Sequence, residues 1–143
     1  MNAARFLDTN ILVYAYDLDA PAKRWVALKL VEEGWINLGG TAVSVQVLQE
    51  LHANLTRRGQ APSDASRVVE DFAGWPVVDN TLELLRSALA EQARWKLSLW
   101  DALILAAARS AGATELVSED FNAGQDYGGI RVVNPFPRMP GGP

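Results

Sequence analysis

The sequence contains no cysteine and a single histidine, His52. Without cysteine the chain can form neither disulfides nor thiolate metal sites. His52 is two positions from Glu50 and would lie on a different face of a shared helix, which argues against a joint role as metal ligands. One histidine with no cysteine also argues against Ser-His and Cys-His catalysis. Chemistry that depends on a histidine base is therefore not expected.

Two phosphate-binding motifs are also missing. No G-x-G-x-x-G and no G-x-x-x-x-G-K-[ST] follows a predicted strand, so the phosphate cradles of dinucleotide-binding proteins and P-loop proteins are excluded. An aspartyl-phosphate phosphatase would carry a second Asp two residues after Asp8, where this chain has Asn10.

Long apolar runs are absent as well. None approaches the roughly 18 residues that a membrane span needs, and the N-terminus lacks the pattern of a signal peptide. We therefore expect a cytoplasmic, globular protein with no membrane partner. The 143 residues are enough for one domain with a hydrophobic core and too few for two. We expect a single domain over residues 1–136 and a disordered, Pro- and Gly-rich tail over residues 137–143.

Positive charge is scarce. Lys and Arg number 13 against 17 Asp and Glu, a formal charge of −4, which argues against a broad nucleic-acid-binding surface. The objection weakens if several carboxylates share one metal site, because a divalent ion cancels their field where an anionic substrate arrives. Short basic groups such as Lys23-Arg24 and Arg57-Arg58 are typical of solvated surfaces, and the acidic pair Asp17 and Asp19 is interpreted in the same way.

Apolar runs of strand length alternate with helical periodicity along the chain. The second predicted helix carries Trp25, Leu28 and Val31 and is expected to stop at Gly34. The predicted strands lie near residues 5–7, 35–43, 76–79, 114–118 and 130–133. Strands that alternate with helices imply βαβ units, so we predict an α/β fold of three layers, α/β/α, with a mostly parallel sheet of about five strands.

Four acids have apolar neighbours along the chain, where an unpaired charge is costly: Asp8, Glu50, Asp101 and Asp120. Asp8 follows the first strand and Asp120 the fourth, and the carboxyl ends of parallel strands share the edge at which ligands bind. Asp101 and Glu50 lie near helix starts, which face the same edge. We therefore expect the four acids to converge around a hard cation, Mg²⁺ or Mn²⁺, because their ligands are all oxygens. Such an ion can activate water for attack on a phosphodiester.

Each acid also has a simpler interpretation. Asp8 could cap the helix that follows it, and Ser98-x-x-Asp101 matches a capping box. Asp120 could be an ordinary turn residue, and Glu50 could lie at the edge of the core with its carboxylate in water. The metal-site hypothesis depends on all four acids falling on one predicted edge.

Four short motifs occur in order along the chain: Phe6-Leu7-Asp8-Thr9-Asn10, Ser44-Val45-Gln46-Val47-Leu48-Gln49-Glu50, Ser98-Leu99-Trp100-Asp101-Ala102 and Ser118-Glu119-Asp120-Phe121-Asn122. From about residue 4 to residue 136 the chain resembles PIN-domain nucleases, in particular the VapC-type ribonuclease toxins of toxin–antitoxin pairs. The resemblance implies that Asp8, Glu50, Asp101 and Asp120 form the catalytic, metal-binding site. It implies Thr9, Asn10 and Ser118 as their hydrogen-bonding support, with Glu119 as an alternative to Asp120.

The same resemblance implies an activity and partners. The implied activity is that of a Mg²⁺-dependent endoribonuclease in which Mn²⁺ can substitute. The implied partners are an RNA substrate, a second copy of the chain in a homodimer and a small protein antitoxin. Two alternatives stay open: a PIN-like module that binds RNA or protein without turnover, and another metal-dependent phosphoesterase or DNA nuclease.

Overall fold

The computed structural model describes residues 2–137 and places five short strands in one parallel sheet. The strands are β1 (Arg5–Leu7), β2 (Thr41–Ser44), β3 (Val77–Val78), β4 (Glu115–Val117) and β5 (Arg131–Val133). Their order across the sheet is β3-β2-β1-β4-β5, and every neighbouring pair is parallel. The predicted α/β fold with a parallel five-stranded sheet is confirmed.

Six helices connect these strands: α1 (Thr9–Tyr14), α2 (Pro21–Ile36), α3 (Val45–Arg57), α4 (Pro62–Phe72), α5 (Leu82–Trp95) and α6 (Leu99–Ser110). From β1 to β3 the chain moves across the sheet in one direction, and from β3 to β4 it returns past β1. Because parallel crossovers are right-handed, α1–α4 cover one face and α5 with α6 cover the other. Phe6 and Leu7, adjacent in β1 and pointing to opposite faces, are both fully buried, as a sheet between two helical layers requires.

The reversal in strand order places a crevice between the carboxyl ends of β1 and β4. Leu7 pairs with Val117 at the end of the ladder, and the next residue, Asp8, donates its backbone N–H to the Val117 carbonyl at 3.0 Å. Asp8 and Ser118 therefore leave the sheet side by side, at the position where open α/β sheets bind ligands.

One helix boundary was predicted wrongly. Helix α2 does not stop at Gly34 but continues to Ile36, and β2 begins only at Thr41. Gly34 is buried under the ring of Trp75, and a Cβ built on it would lie 2.4 Å from Trp75 Cζ2. This glycine therefore allows close packing within the helix instead of ending it.

Within residues 2–137, no helix is both long and apolar enough to cross a membrane. The predicted disordered tail, residues 137–143, lies outside the described residues except for Pro137.

Gly34→Ala should destabilise the fold although alanine favours helix. Alanine gains about 1 kcal/mol in helix propensity, whereas forcing a methyl group against a packed ring costs about 1–3 kcal/mol. We expect a net loss of about 1 kcal/mol in the free energy of unfolding, measured by urea denaturation. The double variant Gly34→Ala/Trp75→Phe is the control: the clashing ring atoms are gone, so the alanine should cost less than in the wild-type background. Additive losses would contradict the clash.

Candidate active site

Asp8 is the centre of the site and is buried, with a relative exposure of 7%. It occupies the N-cap position of α1, where its Oδ1 accepts the Thr9 backbone N–H at 2.8 Å. Its Oδ2 accepts the Ser118 hydroxyl at 2.7 Å. Ser118 is fully buried and its Oγ also accepts the backbone N–H of Asp120 at 3.0 Å. The capping role proposed for Asp8 is therefore present, and it coexists with a direct link to the turn that carries Asp120.

Burial raises the pKa of Asp8 from 3.8 to about 6. Desolvation is the largest cause, the hydrogen bonds from Ser118 and Thr9 oppose it, and the negative charges of Asp120 and Glu50 raise the pKa further. Asp8 is thus close enough to these two acids to feel their charge. Three of the four predicted acids share one electrostatic environment.

Asp120 follows Ser118 in the turn after β4 and is fixed by Asn10. The Asn10 Nδ2 donates to Asp120 Oδ2 at 3.0 Å, and the Asn10 Oδ1 accepts the Glu119 backbone N–H at 3.3 Å. One amide on α1 therefore holds the turn and orients the carboxylate. This contact lies across 110 residues of sequence and joins the first turn of α1 to the turn that follows Ser118.

Glu119, the alternative fourth acid, has a different environment. Its carboxylate forms an ion pair with Lys23 Nζ and accepts the Tyr14 hydroxyl at 2.7 Å. Partial burial raises the pKa of Glu119, but the hydrogen bonds from Lys23 and Tyr14 and the charge of Lys23 together outweigh it, so the pKa is lowered and the carboxylate stays charged. The structure therefore directs Asp120, and not Glu119, toward the other acids.

Asp101 and Glu50 lie at the rim of the site. Asp101 is half-buried in the first turn of α6, where the Ser98 hydroxyl accepts its backbone N–H at 3.1 Å. Burial raises the pKa of Asp101, the hydrogen bond with Ser98 lowers it, and the charge of Asp120 raises it. Glu50 accepts the Gln46 Nε2 at 2.9 Å, and the same Nε2 donates to the Trp100 carbonyl at 3.3 Å. Gln46 thus connects Glu50 to the start of α6.

The burial predicted for the four acids is correct for Asp8 alone. Asp101 is half-buried, and Glu50 and Asp120 are exposed, because their helix and turn positions open to solvent at the sheet edge. Between residues 2 and 137, no three acidic or histidine side chains are already gathered as ligands for one ion. Hydrogen bonds to Ser118, Asn10 and Gln46 hold the carboxylates individually.

A cleft of about 240 Å³ opens at this edge. We call it the edge cleft; it is lined by Thr9, Asn10, Val13, Tyr14, Glu50, Asn54, Arg58 and Asp120. The buried Thr9 Oγ1 has no hydrogen-bond partner among the described residues. Buried polar atoms without a partner are uncommon in folded proteins. The side-chain atoms in and around the cleft that could bind a metal are oxygens, so the residues present fit a hard divalent cation by their chemistry.

Several residues of this region escaped the sequence analysis. The helical period could have predicted one group, because four polar residues on α3 recur at four-residue spacing and so share one face of the helix: Gln46, Glu50, Asn54 and Arg58. Lys23 and Tyr14 gave no such signal, because their partner Glu119 lies about a hundred residues away. His52 is not part of the edge cleft lining; its Nε2 lies 3.3 Å from the Ser66 hydroxyl on α4.

The raised pKa of Asp8 makes the stability of the metal-free protein depend on pH. Below pH 3.8 the Asp8 carboxyl is protonated in both the folded and the unfolded protein. As the pH rises to about 6, this carboxyl loses its proton in the unfolded protein first, so the free energy of unfolding falls. The loss is complete above about pH 6 and amounts to roughly 3 kcal/mol. Asp8→Asn removes this loss, so its stability relative to the wild type should rise between about pH 4 and pH 7.

Urea denaturation with a chelator measures this difference. Asp64→Asn, at an exposed carboxylate in α4, controls for the general effect of removing a negative charge. Parallel pH profiles for the wild type and Asp8→Asn would contradict a buried Asp8 with a raised pKa.

Comparison with known proteins identifies the fold. Solved structures with the same fold include a toxin–antitoxin complex from Klebsiella pneumoniae, with 23% identity, a TM-score of 0.65 and coverage of 92% of this chain and 98% of that chain. VapC20 from Mycobacterium tuberculosis, a sarcin-ricin loop cleaving toxin, has 22% identity, a TM-score of 0.61 and coverage of 78% and 86%. DNA-bound VapBC from Salmonella typhimurium has 23% identity, a TM-score of 0.62 and coverage of 92% and 97%.

No curated protein sequence matches the chain at comparable significance. Residues 5–125, which form most of the chain, match the family model of the PIN domain. That segment contains all four motifs and both strands that meet at Asp8. The protein therefore belongs to the PIN domain family.

Proposed function

We propose that the protein is a cytoplasmic, Mg²⁺-dependent endoribonuclease that acts as the toxin of a VapBC-type toxin–antitoxin pair. The observation that carries the proposal is the buried Asp8 carboxylate, which is hydrogen-bonded to Ser118 and lies within the field of Asp120 and Glu50 at the strand-order reversal. The similarity to solved VapC and VapBC structures supports the choice of RNA and of a toxin role.

Asp8, Glu50, Asp101 and Asp120 are the oxygen donors that would hold the cation. When bound, a divalent ion supplies the positive charge that lowers the pKa of a water molecule and offsets the charge developing on a phosphodiester. The protein residues prepare this site. Ser118 and the Thr9 backbone N–H fix both oxygens of Asp8, and Asn10 fixes Asp120. No protein side chain has to serve as the nucleophile.

A PIN-like module that binds RNA or a protein without turnover is the second candidate. The observation in its favour is that no three acids within residues 2–137 are already gathered as ligands for one ion. The two functions differ in a single measurable property, which is metal-dependent cleavage.

RNA cleavage should require Mg²⁺ or Mn²⁺ and should be abolished by chelator and by Asp8→Asn, because the site supplies no other activator of water. Gel electrophoresis of labelled RNA, followed over time, measures this activity. His52→Ala is the matched control and should stay within a few-fold of the wild type, because His52 contacts Ser66 outside the edge cleft. Binding of RNA without cleavage would favour the second candidate, and full activity in chelator would exclude the metal mechanism.

Apolar side chains exposed near α1 and α2 support an inhibitory antitoxin as partner. Tyr16 is 39% and Trp25 63% exposed, and large aromatic residues of this kind are the usual anchors of protein interfaces. Leu18, 78% exposed between them, adds apolar surface. The Klebsiella structure is a toxin–antitoxin complex and the Salmonella structure is a VapBC complex bound to DNA. We also propose a homodimer, for which Leu82 and Trp100, 60% and 66% exposed on α5 and α6, supply apolar contact surface.

Trp25→Ala should weaken inhibition by the antitoxin while leaving RNA cleavage unchanged, because Trp25 is exposed and lies outside the edge cleft. Loss of one aromatic anchor typically costs about 2 kcal/mol, or roughly thirtyfold in affinity. Growth of bacteria that co-express the chain with the product of a neighbouring small reading frame reports this loss. Leu38→Ala is the matched control, since Leu38 is 65% exposed after the end of α2. Equal inhibition of both variants would exclude this surface.

A further inference from the structure

The edge cleft contains a basic residue among its acids. Arg58 lines the cleft together with Glu50, Asp120 and Asn10, and it is the basic member of that lining. A strand of RNA that enters an acidic cleft is repelled by the carboxylates unless cations offset their charge. A guanidinium is suited to this task, because its planar N–H donors match the oxygens of a phosphate.

Arg58 lies at the end of a polar stripe along α3. Gln46, Glu50, Asn54 and Arg58 follow at four-residue intervals, which places them on one face of the helix. Asn54 Nδ2 donates to the Glu50 carbonyl at 2.9 Å, and Arg58 is the C-cap residue of the helix. A rise of 1.5 Å per residue puts Arg58 about 12 Å along the helix from Glu50. The backbone positions of the two residues are thus about two helical turns apart, although both side chains line the edge cleft. This separation favours contact of the guanidinium with a phosphate that flanks the one nearest Glu50.

Asp17 fixes this side chain at the cleft. The Arg58 Nη1 lies 3.0 Å from Asp17 Oδ2, and Asp17 Oδ1 accepts the Asp19 backbone N–H at 3.0 Å. The Arg58 hydrogen bond lowers the pKa of Asp17, with the Asp19 N–H as the second cause, so the carboxylate stays charged. A guanidinium has five N–H donors. One carboxylate oxygen therefore leaves donors free for a second anion, and the Arg58 side chain is 48% exposed to receive it.

We propose that Arg58 binds a backbone phosphate of single-stranded RNA beside the phosphodiester that is cut, with Asp17 as its positioning residue. This inference rests on the proposed function and names a contact of the same site. It also answers the objection raised by the net charge of −4: the attraction for RNA is local, at the edge cleft, and not spread over the surface.

Three variants test this role, each measured for RNA affinity, cleavage and thermal stability. Arg58→Gln removes the guanidinium. Arg57→Gln makes the same charge change at the neighbouring exposed residue, which does not line the cleft. Asp17→Asn breaks the ion pair but keeps the guanidinium. The probe is a fluorescein-labelled, unstructured RNA oligonucleotide of random sequence, and fluorescence anisotropy in chelator gives its Kd over a range of salt concentrations.

Arg58→Gln should weaken RNA binding about tenfold, the effect expected of one charge-assisted contact. It should also reduce the slope of log Kd against log salt concentration by about 0.7, the value for one phosphate on a single strand. In cleavage assays the variant should raise KM and leave kcat within about twofold, since uniform binding is lost. Arg57→Gln should leave affinity and salt slope unchanged. Asp17→Asn should lose less affinity than Arg58→Gln and keep the wild-type salt slope, because the guanidinium remains but is no longer held by its partner.

The contrary outcomes are distinct. If Arg58→Gln and Asp17→Asn lose RNA affinity equally and both have a lower melting temperature, the ion pair is only a structural salt bridge and the inference is overturned. Unchanged affinity in Arg58→Gln, equal effects of the two arginine variants, or no RNA binding by the wild type would also overturn it. RNA binding that depends on Arg58 without any metal-dependent cleavage would instead end the proposed endoribonuclease function and leave the phosphate contact standing.

Discussion

The hydrogen bond between the Ser118 hydroxyl and the Asp8 carboxylate is the contact on which the site depends. It joins the ends of β1 and β4 at 2.7 Å, and each of these residues connects to a further part of the site. Asp8 starts α1 through the Thr9 N–H, whereas Ser118 holds the backbone N–H of Asp120. A charge buried to this extent is tolerated only when such partners are present. The same contact therefore determines the geometry of the site and offsets part of the cost of burying the Asp8 carboxylate.

The parallel sheet explains why these partners meet. Leu7 and Val117 are paired in register, so the residues that follow them leave the sheet together at its carboxyl edge. Helices α1 and α6 and the turn after β4 then bring in Asn10, Asp101 and Asp120 from segments far apart in sequence. The acids are brought near one another by topology, and neutral hydrogen-bond donors, not cations, hold the carboxylates of Asp8, Glu50 and Asp120.

Sequence patterns were sufficient for features set by local periodicity and by sheet topology. Strand ends in a parallel sheet share an edge, which is why Asp8 and Asp120 could be placed together. Features that depend on contacts between distant segments were missed. Gly34 signals a helix end, but the ring of Trp75 packs against it from 41 positions away. Arg58 belongs to a short basic group typical of solvated surfaces, and its pairing with Asp17 is visible only once α3 packs beside α1.

The separation of 110 residues between Asp8 and Ser118 has a consequence during protein synthesis. Strand β1 leaves the ribosome well before its partner β4, which emerges only after α6 is complete. Contacts between such distant segments form late, since the closure of a long loop precedes any gain from them. A nascent chain that lacks β4 cannot fix Asp8 or orient Asp120. The site therefore cannot exist in a partly synthesised chain, and it becomes complete only when almost the whole domain has been made.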